Sequence, residues 1–207
     1  MQNLLFSNQH SIFHSDLNTE LLQVLANCTQ VLFNNSIMNT RFKQYIPEDF
    51  DDNSRVWIYQ ANRQFTKQEV PELEKKLEQF ASVWNSHGSA VKSFAKLLYG
   101  NFIILMADET NVKVGGCSTD SSFRFIKNIE KEYDVQLLDR QTLAFIVKNK
   151  VYLIPIEDIN YSIENDIINP DTLYFNNTIL TKKQLMNNWI IPVKDSWLAK
   201  RIPSSRL

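Results

Sequence analysis

Cysteine, glycine and long apolar runs are all scarce in this chain of 207 residues. Its two cysteines, Cys28 and Cys117, are too few for a disulfide framework or a structural zinc site. No apolar run reaches the roughly 18 residues that a membrane span needs, and the first residues lack the basic and apolar regions of a secretory signal. These absences predict a cytoplasmic protein that does not enter a membrane.

An excess of charge of one sign is also missing. The sequence has 22 Lys and Arg residues against 23 Asp and Glu residues, which gives a net charge of -1. Such a balance provides no general attraction to nucleic acid or to an anionic membrane. The aromatic first strand lacks an RNP-type sequence, so a nucleic-acid partner is disfavoured. No GxxxxGK[ST] run is present, so the chain has no nucleotide-binding motif.

The apolar residues that are present suffice for a core, because 43% of the chain is hydrophobic and 13 residues are Phe. From Arg55 onward, the pattern predicts the order strand, helix, strand, strand, helix, strand, strand. The first six elements match a ferredoxin-like, or split βαβ, arrangement. We therefore predict an α+β fold whose antiparallel sheet has two helices on one face and an extra C-terminal hairpin strand.

Local signals predict where these elements begin and end. Thr66 and Glu69 form a capping-box pattern that opens the first helix, and His87-Gly88 is expected to end it. Tyr99-Gly100 and the run Lys148-Asn149-Lys150 are each flanked by apolar stretches, so both are predicted to be hairpin turns.

Three segments of different composition suggest the domain organisation. Residues 1–50 form a helical extension and connector, with an amphipathic helix over residues 17–33. Residues 51–160 form the ferredoxin-like core, and residues 161–207 wrap back onto it. The N-terminal helix and the tail residues Trp189 and Trp197 are candidates to cover the open face of the sheet. A homodimer or another protein partner is an alternative cover.

The stretch from Tyr99 to Lys127 is the centre of the predicted chemistry. A buried strand ends at Asp108 and Glu109, and a loop with two glycines then leads to a helix whose apolar face includes Phe123, Ile126 and Ile129. Small hydroxyl residues and glycine amides at a helix start can bind an anion or another ligand. The candidate ligand-binding residues are Gly115, Gly116, Cys117, Ser118, Ser121 and Ser122.

Two catalytic alternatives involve the same region. Cys117 at a helix N-terminus is a candidate nucleophile, and His87 would assist if folding brings it near. The candidate catalytic residues are Cys117, Asp120 and His87. The carboxylates of Asp108, Glu109 and Asp120 are candidate ligands of a divalent cation, the one cofactor considered. The purely structural alternative is that Asp120 caps the helix and that Asp108 and Glu109 are solvated acids of the loop.

Several runs resemble an uncharacterised family of bacterial cytosolic proteins. They are SRVWIYQANRQF, FIILMADE, GGCSTDSSFRFIKNIE, LDR and NNWIIPVKDSW, and the resemblance covers roughly residues 45–200. Some members carry the label "ABC transporter ATPase". This chain does not support that label, because it lacks the phosphate-binding motif that such an ATPase needs. We therefore predict a non-catalytic binding module that uses the sheet face or residues 115–122. The alternative is an enzyme that uses the Cys117 thiol or the carboxylate metal site.

Overall fold

Antiparallel strands and short helices follow one another in residues 41–203, the part of the chain that the computed structural model describes. The strands are β1 Arg55–Gln60, β2 Asn85–Ser86, β3 Ser89–Ala90, β4 Lys92–Leu98, β5 Phe102–Asp108, β6 Thr142–Val147, β7 Lys150–Pro155, β8 Leu173–Phe175 and β9 Ile190–Pro192. The α-helices are α1 Glu69–Val83, α2 Gly116–Tyr133, α3 Ile159–Glu164 and α4 Lys182–Asn188. These elements confirm the α+β class. The helix predicted over residues 17–33 lies outside the described residues.

The strands form two main sheets and one small hairpin. The first sheet has the order β1-β5-β4, the second has the order β7-β6-β8-β9, and β2 pairs with β3. The order β1-β5-β4 is that of the first three strands in a split βαβ arrangement. However, β6 pairs with β7 and β8, where a ferredoxin-like sheet would place it beside β1. The ferredoxin-like arrangement is therefore not confirmed.

The edge of β1 that faces away from β5 is already occupied by other contacts, and this is why β6 does not pair with it. The Val56 N–H donates to Leu180 O at 2.9 Å, so a C-terminal segment already occupies one end of this edge. At the other end, the side chain of Gln60 reaches β6 and donates from Nε2 to Thr142 O at 3.0 Å. A side-chain bridge thus replaces the strand pairing that the sequence pattern suggested.

One face of the first sheet is covered by α1 and α2. Leu73 and Leu77 of α1 and Ile126 and Ile129 of α2 are buried in a single core with the strand residues. Trp57 of β1 packs against the same core, with its ring 5.6 Å from that of Trp84. The aromatic side of β1 therefore faces the helices and presents no open stacking surface.

Both predicted hairpin turns are confirmed, and the predicted capping box forms its two reciprocal bonds. The Thr66 N–H donates to Glu69 Oε2 at 2.7 Å, and the Glu69 N–H donates to Thr66 Oγ1 at 3.3 Å. Tyr99 and Gly100 have φ values of 54° and 70°, and Lys148 and Asn149 have 48° and 62°. Positive φ at both central residues is typical of the turns that match strand twist. The β6–β7 turn has two residues between the paired Val147 and Lys150, whereas the β4–β5 turn has three between Leu98 and Phe102.

The predicted end of α1 at His87-Gly88 is wrong. The helix ends at Val83, and Trp84 adopts an extended conformation with ψ 125°. His87 and Gly88 have φ values of 51° and 82° and form the turn between β2 and β3. The glycine does take a left-handed conformation, but it serves a hairpin and not a helix end.

The other face of the first sheet meets an aromatic cluster, which we define as Phe42, Tyr99, Phe102, Phe175 and Trp189. Trp189 is fully buried, with its ring 4.8 Å from that of Phe42. Phe102 of β5 stacks on Phe175 of β8 at 4.4 Å and therefore joins the two sheets. Trp189 thus packs onto the sheet as predicted, whereas Trp197 is 44% exposed.

Two lysines fix the segment that precedes β1. Lys182 is buried, and its Nζ donates to Glu48 O at 3.0 Å and to Phe50 O at 2.5 Å. Lys92 forms a salt bridge with Asp49 at 3.0 Å and lies 4.7 Å from the centre of the Phe50 ring.

Among residues 41–203, no helix combines the length and apolar character that crossing a bilayer requires.

We expect Trp189→Ala to destabilise the protein strongly, because it removes a fully buried indole that contacts four other rings. The expected loss in the free energy of unfolding is about 3–5 kcal/mol. Urea denaturation followed by circular dichroism measures it. Trp197→Ala is the matched control, with an expected loss of about 1 kcal/mol. Equal losses in the two variants would contradict the role given to the aromatic cluster.

Candidate functional site at the start of α2

The β2–β3 hairpin contacts the loop that connects β5 to α2. Ser86 is buried in this contact, and its Oγ donates to Lys113 O at 2.7 Å. The same oxygen accepts from the Gly115 N–H at 3.3 Å. One hydroxyl therefore fixes the loop at two positions just before the helix begins.

His87, at the tip of the hairpin, lies directly against Gly115. A Cβ built on Gly115 would lie 2.9 Å from His87 Nε2, closer than side-chain atoms normally approach. A Cβ built on Gly116 would have no atom within 4 Å. Gly115 is therefore required for close packing. Folding therefore places His87 against Gly115, which precedes Cys117 by two residues in the chain.

The α2 helix begins earlier than the sequence suggested. Its first residue is Gly116, and Gly115 is an extended N-cap with φ -81° and ψ -179°. Cys117 through Ser122 therefore lie within the helix. Asp120 is exposed in the second turn, so its predicted role as a cap is wrong. A glycine N-cap suffices here because the preceding loop is already fixed by Ser86.

The hydroxyls in the first turns of α2, including those of the predicted ligand-binding residues Ser121 and Ser122, bond to the helix itself. Thr119 Oγ1 donates to Gly115 O at 3.1 Å, and Ser121 Oγ donates to Ser118 O at 2.7 Å. Ser122 Oγ donates to Thr119 O at 2.7 Å. Such bonds to carbonyls three or four residues earlier are common for hydroxyl residues inside helices. These three hydroxyls are therefore engaged within the helix.

The six predicted ligand-binding residues divide between the surface and the core. Ser118 and Ser122 are buried on the inner face of the helix, whereas Gly116 and Cys117 are exposed. Trp84 Nε1 donates to Ser118 O at 3.1 Å and fastens the first turn to the end of α1. Burial raises the pKa of Tyr59 below this turn, and its hydrogen bond with Ser122 opposes the increase. The surface part of the candidate site is consequently small.

The buried face of α2 includes Ile126 and Ile129, as predicted, and also Tyr133, but it does not include Phe123. The first three are buried, whereas Phe123 is 47% exposed. The helical period places Ser122 on the inner face, one turn before Ile126. Phe123 is rotated away from that face by one residue, and the Nζ of Lys127 lies 5.9 Å from the centre of its ring.

The three candidate metal ligands have separate roles. Asp108 is buried, and its Oδ1 accepts from the Thr110 hydroxyl at 2.6 Å. Glu109 Oε1 accepts from the Val114 N–H at 2.8 Å. Asp120 is exposed on α2. Within residues 41–203, no group of three or more His, Cys, Asp or Glu side chains is placed to hold a metal ion.

Ser86 was missed as a site residue, although the sequence contains a signal for it. The run NSHGSA places two small residues on each side of His87-Gly88. Gly at the second position of a two-residue turn is typical of a hairpin. That pattern competes with the interpretation of Gly88 as a helix end, and the structure shows that the hairpin forms.

The hydrogen bonds of Asp108 predict a pH-dependent contribution to stability. The Thr110 hydroxyl, helped by the Thr110 and Asp51 amides and by Lys92, lowers the pKa of Asp108 to about 2. An unfolded chain has an Asp pKa of about 4. Because the folded pKa is the lower one, this contribution is present above pH 4 and is lost as the pH falls towards 2.

We therefore expect Asp108→Asn to be less stable than the unmodified chain at pH 6. The difference should shrink as the pH falls from about 4 to about 2, where the unmodified chain protonates its own carboxylate. Urea midpoints of both proteins between pH 6 and pH 2.5 measure this difference. A difference that stays constant over the range would contradict the role of the ionised carboxylate.

The case for this site rests on its own contacts. A scan against protein-family models and searches of curated proteins and of solved structures found no match for the chain. The family resemblance of residues 45–200 stays a prediction. What the geometry provides is a surface on which His87, Gly116, Cys117 and Asp120 adjoin a fixed loop.

Proposed function

We propose that the protein is a non-catalytic binding module whose contact surface is the hairpin–helix corner. We define this corner as residues 86–90, 113–117 and 120. One observation carries the proposal: Ser86 and His87 fix the loop at Lys113 and Gly115 before any partner is present. A surface that is already ordered loses little conformational entropy on binding.

The corner supports this role better than the sheet face does. On the side of the first sheet away from α1 and α2, Val56 is 2% exposed, and Ile104 and Met106 are 0% exposed. On the other side, α1 and α2 cover the strands. A ligand of the sheet would have to displace packed side chains, so the sheet-face version of the binding hypothesis has little support.

The shape of the corner favours a protein partner over a small molecule. His87, Gly88, Ser89 and Ala90 are all exposed, as expected for a projecting hairpin tip. Val83, at the nearby end of α1, is 65% exposed. Small ligands generally bind in concave sites that bury most of their surface. A projecting tip with an exposed aliphatic side chain beside it suits a complementary protein surface.

A photo-crosslinking amino acid at Asp120 tests this proposal in the cells that make the protein. We expect one discrete adduct from position 120. Lys131 is the matched control, because it is exposed on the same helix. Lys131 follows Asp120 by 11 residues, so it lies about three helical turns, or about 16 Å, further along α2 and on nearly the same face. No adduct at position 120, or the same adduct from both positions, would contradict the proposal.

One observation favours the second candidate, an enzyme that uses the Cys117 thiol. His87 Nε2 is close to Gly115, and Cys117 is exposed in the first turn of α2. An imidazole near a thiol can act as its base. The carboxylate metal site lacks comparable support, because the oxygens of Asp108 and Glu109 bond to the loop itself.

Gly115→Ala separates these two functions. The added Cβ would meet His87 Nε2 at 2.9 Å, so the imidazole must move away from the loop. If His87 activates the thiol, alkylation of Cys117 by iodoacetamide at pH 7 should slow by about tenfold or more. Gly116→Ala is the matched control and should keep the original rate, because its Cβ meets no atom within 4 Å. Equal rates in all three proteins would eliminate the thiol enzyme.

We also propose a cytoplasmic location and a split βαβ relationship for the first sheet. The low cysteine content supports the location. The order β1-β5-β4, with α1 between β1 and β4, supports the relationship. Both proposals are compatible with either candidate function.

A further inference from the structure

Among the strands within residues 41–203, β7 forms the outer edge of the second sheet and pairs with β6 alone. In a two-residue hairpin, the residues flanking the turn form a hydrogen-bonded pair, and such pairs alternate along the strands. The Ile156 N–H donates to Gln141 O at 2.7 Å, which continues this alternation past the end of β7. The N–H and C=O groups of Val151 and Leu153 therefore point away from β6.

These outward groups have no hydrogen-bond partner in the part of the chain that the structure describes. Tyr152, between them, is 44% exposed, and Val151 and Leu153 are half-buried. Unpaired peptide groups beside exposed apolar side chains form a template for another strand. Natural proteins usually block such an edge with charged side chains or proline. On β7, the exposed Lys150 and Pro155, which lacks an N–H, lie at the two ends of the strand, and the outward groups between them stay unpaired within residues 41–203.

The other sheet edges are less available within residues 41–203. The edge of β1 already receives a bond at Leu180 O. β9 has only three residues, Ile190–Pro192. β4 carries Lys92 and Lys96, and charged side chains on an edge strand discourage pairing. The edge of β7 is therefore the best candidate for pairing with another chain.

We propose that two copies of this chain dimerise by antiparallel pairing of their β7 strands, with Tyr152 at the twofold axis. In this register, Val151 of one copy lies opposite Leu153 of the other. The outward groups of both copies then form four hydrogen bonds. The two tyrosines become directly opposite neighbours on one face of a continuous eight-stranded sheet. The same edge serves both copies, as a twofold dimer requires.

Charge complementarity at both ends of the paired strands supports a second copy as the occupant. The turn that carries Lys148 in one copy lies beside Glu157 and Asp158 of the other. All three side chains are exposed, and none forms a salt bridge within residues 41–203. The twofold axis repeats this contact, so the dimer brings two lysines beside four acids.

The size of the contact predicts a reversible dimer. Four backbone hydrogen bonds and one tyrosine pair bury less than the roughly 1,600 Å² of a standard interface. We expect a dissociation constant on the order of 100 µM. The hairpin–helix corner belongs to different segments, so this inference stands or falls separately from the proposed function.

Sedimentation equilibrium of the full chain up to about 500 µM tests the dimer. Leu153→Pro removes an outward N–H without removing a bond to β6, and it should raise the dissociation constant at least about tenfold. Leu153→Ala is the matched control, because it keeps the N–H, and its constant should change less than about threefold. Circular dichroism establishes that both variants fold. A monomer at every concentration, or a dimer unaffected by Leu153→Pro, overturns the proposal.

Cysteine crosslinking checks the register independently, in a chain that also carries Cys28→Ser and Cys117→Ser. Residues at a non-hydrogen-bonded antiparallel pair have Cα atoms about 4.5 Å apart, which a disulfide can bridge. Under mild oxidation, Tyr152→Cys should therefore form covalent dimers much faster than Val83→Cys, whose position is 65% exposed. Equal rates would overturn the pairing and leave the β7 edge to a strand of another protein.

Discussion

The packing of Trp189 within the aromatic cluster determines how the two sheets are joined. The indole contacts Phe42 from the segment before β1, Tyr99 and Phe102 from the first sheet, and Phe175 from the second. Large fully buried rings contribute most of the apolar area in a core. Because Phe102 begins β5, the cluster also fixes the strand whose far end leads into the loop of the candidate site.

A chain of partly buried polar contacts begins at the same indole. Trp189 Nε1 donates to Asn177 Oδ1 at 3.1 Å, and Asn177 Nδ2 donates to Gln60 Oε1 at 2.8 Å. Gln60 then donates to Thr142 O at 3.0 Å. Buried amides are tolerated when such partners satisfy them. This network occupies the position where β1 would otherwise pair with β6, so it explains why the ferredoxin-like sheet does not close.

Features set by neighbouring residues could be predicted from the sequence, and those set by distant contacts could not. The bonds between Thr66 and Glu69 and the turn at Tyr99-Gly100 depend on residues within four positions of one another. The contact between β1 and β6 is made by Gln60, which is 82 residues from Thr142. His87-Gly88 shows an intermediate case, because a left-handed glycine fits both a helix end and a hairpin, and packing against Gly115 accompanies the second.

The same distinction applies to the candidate site. Cys117 could be placed near a helix start because the two glycines before it form a local signal. The carboxylates of Asp108 and Glu109 were candidate ligands because sequence cannot show which amides a carboxylate accepts from. In the structure, these oxygens bond to Thr110 and Val114 and order the loop. The acids therefore support the corner by shaping its backbone, and the surface left for recognition consists of the residues that this loop exposes.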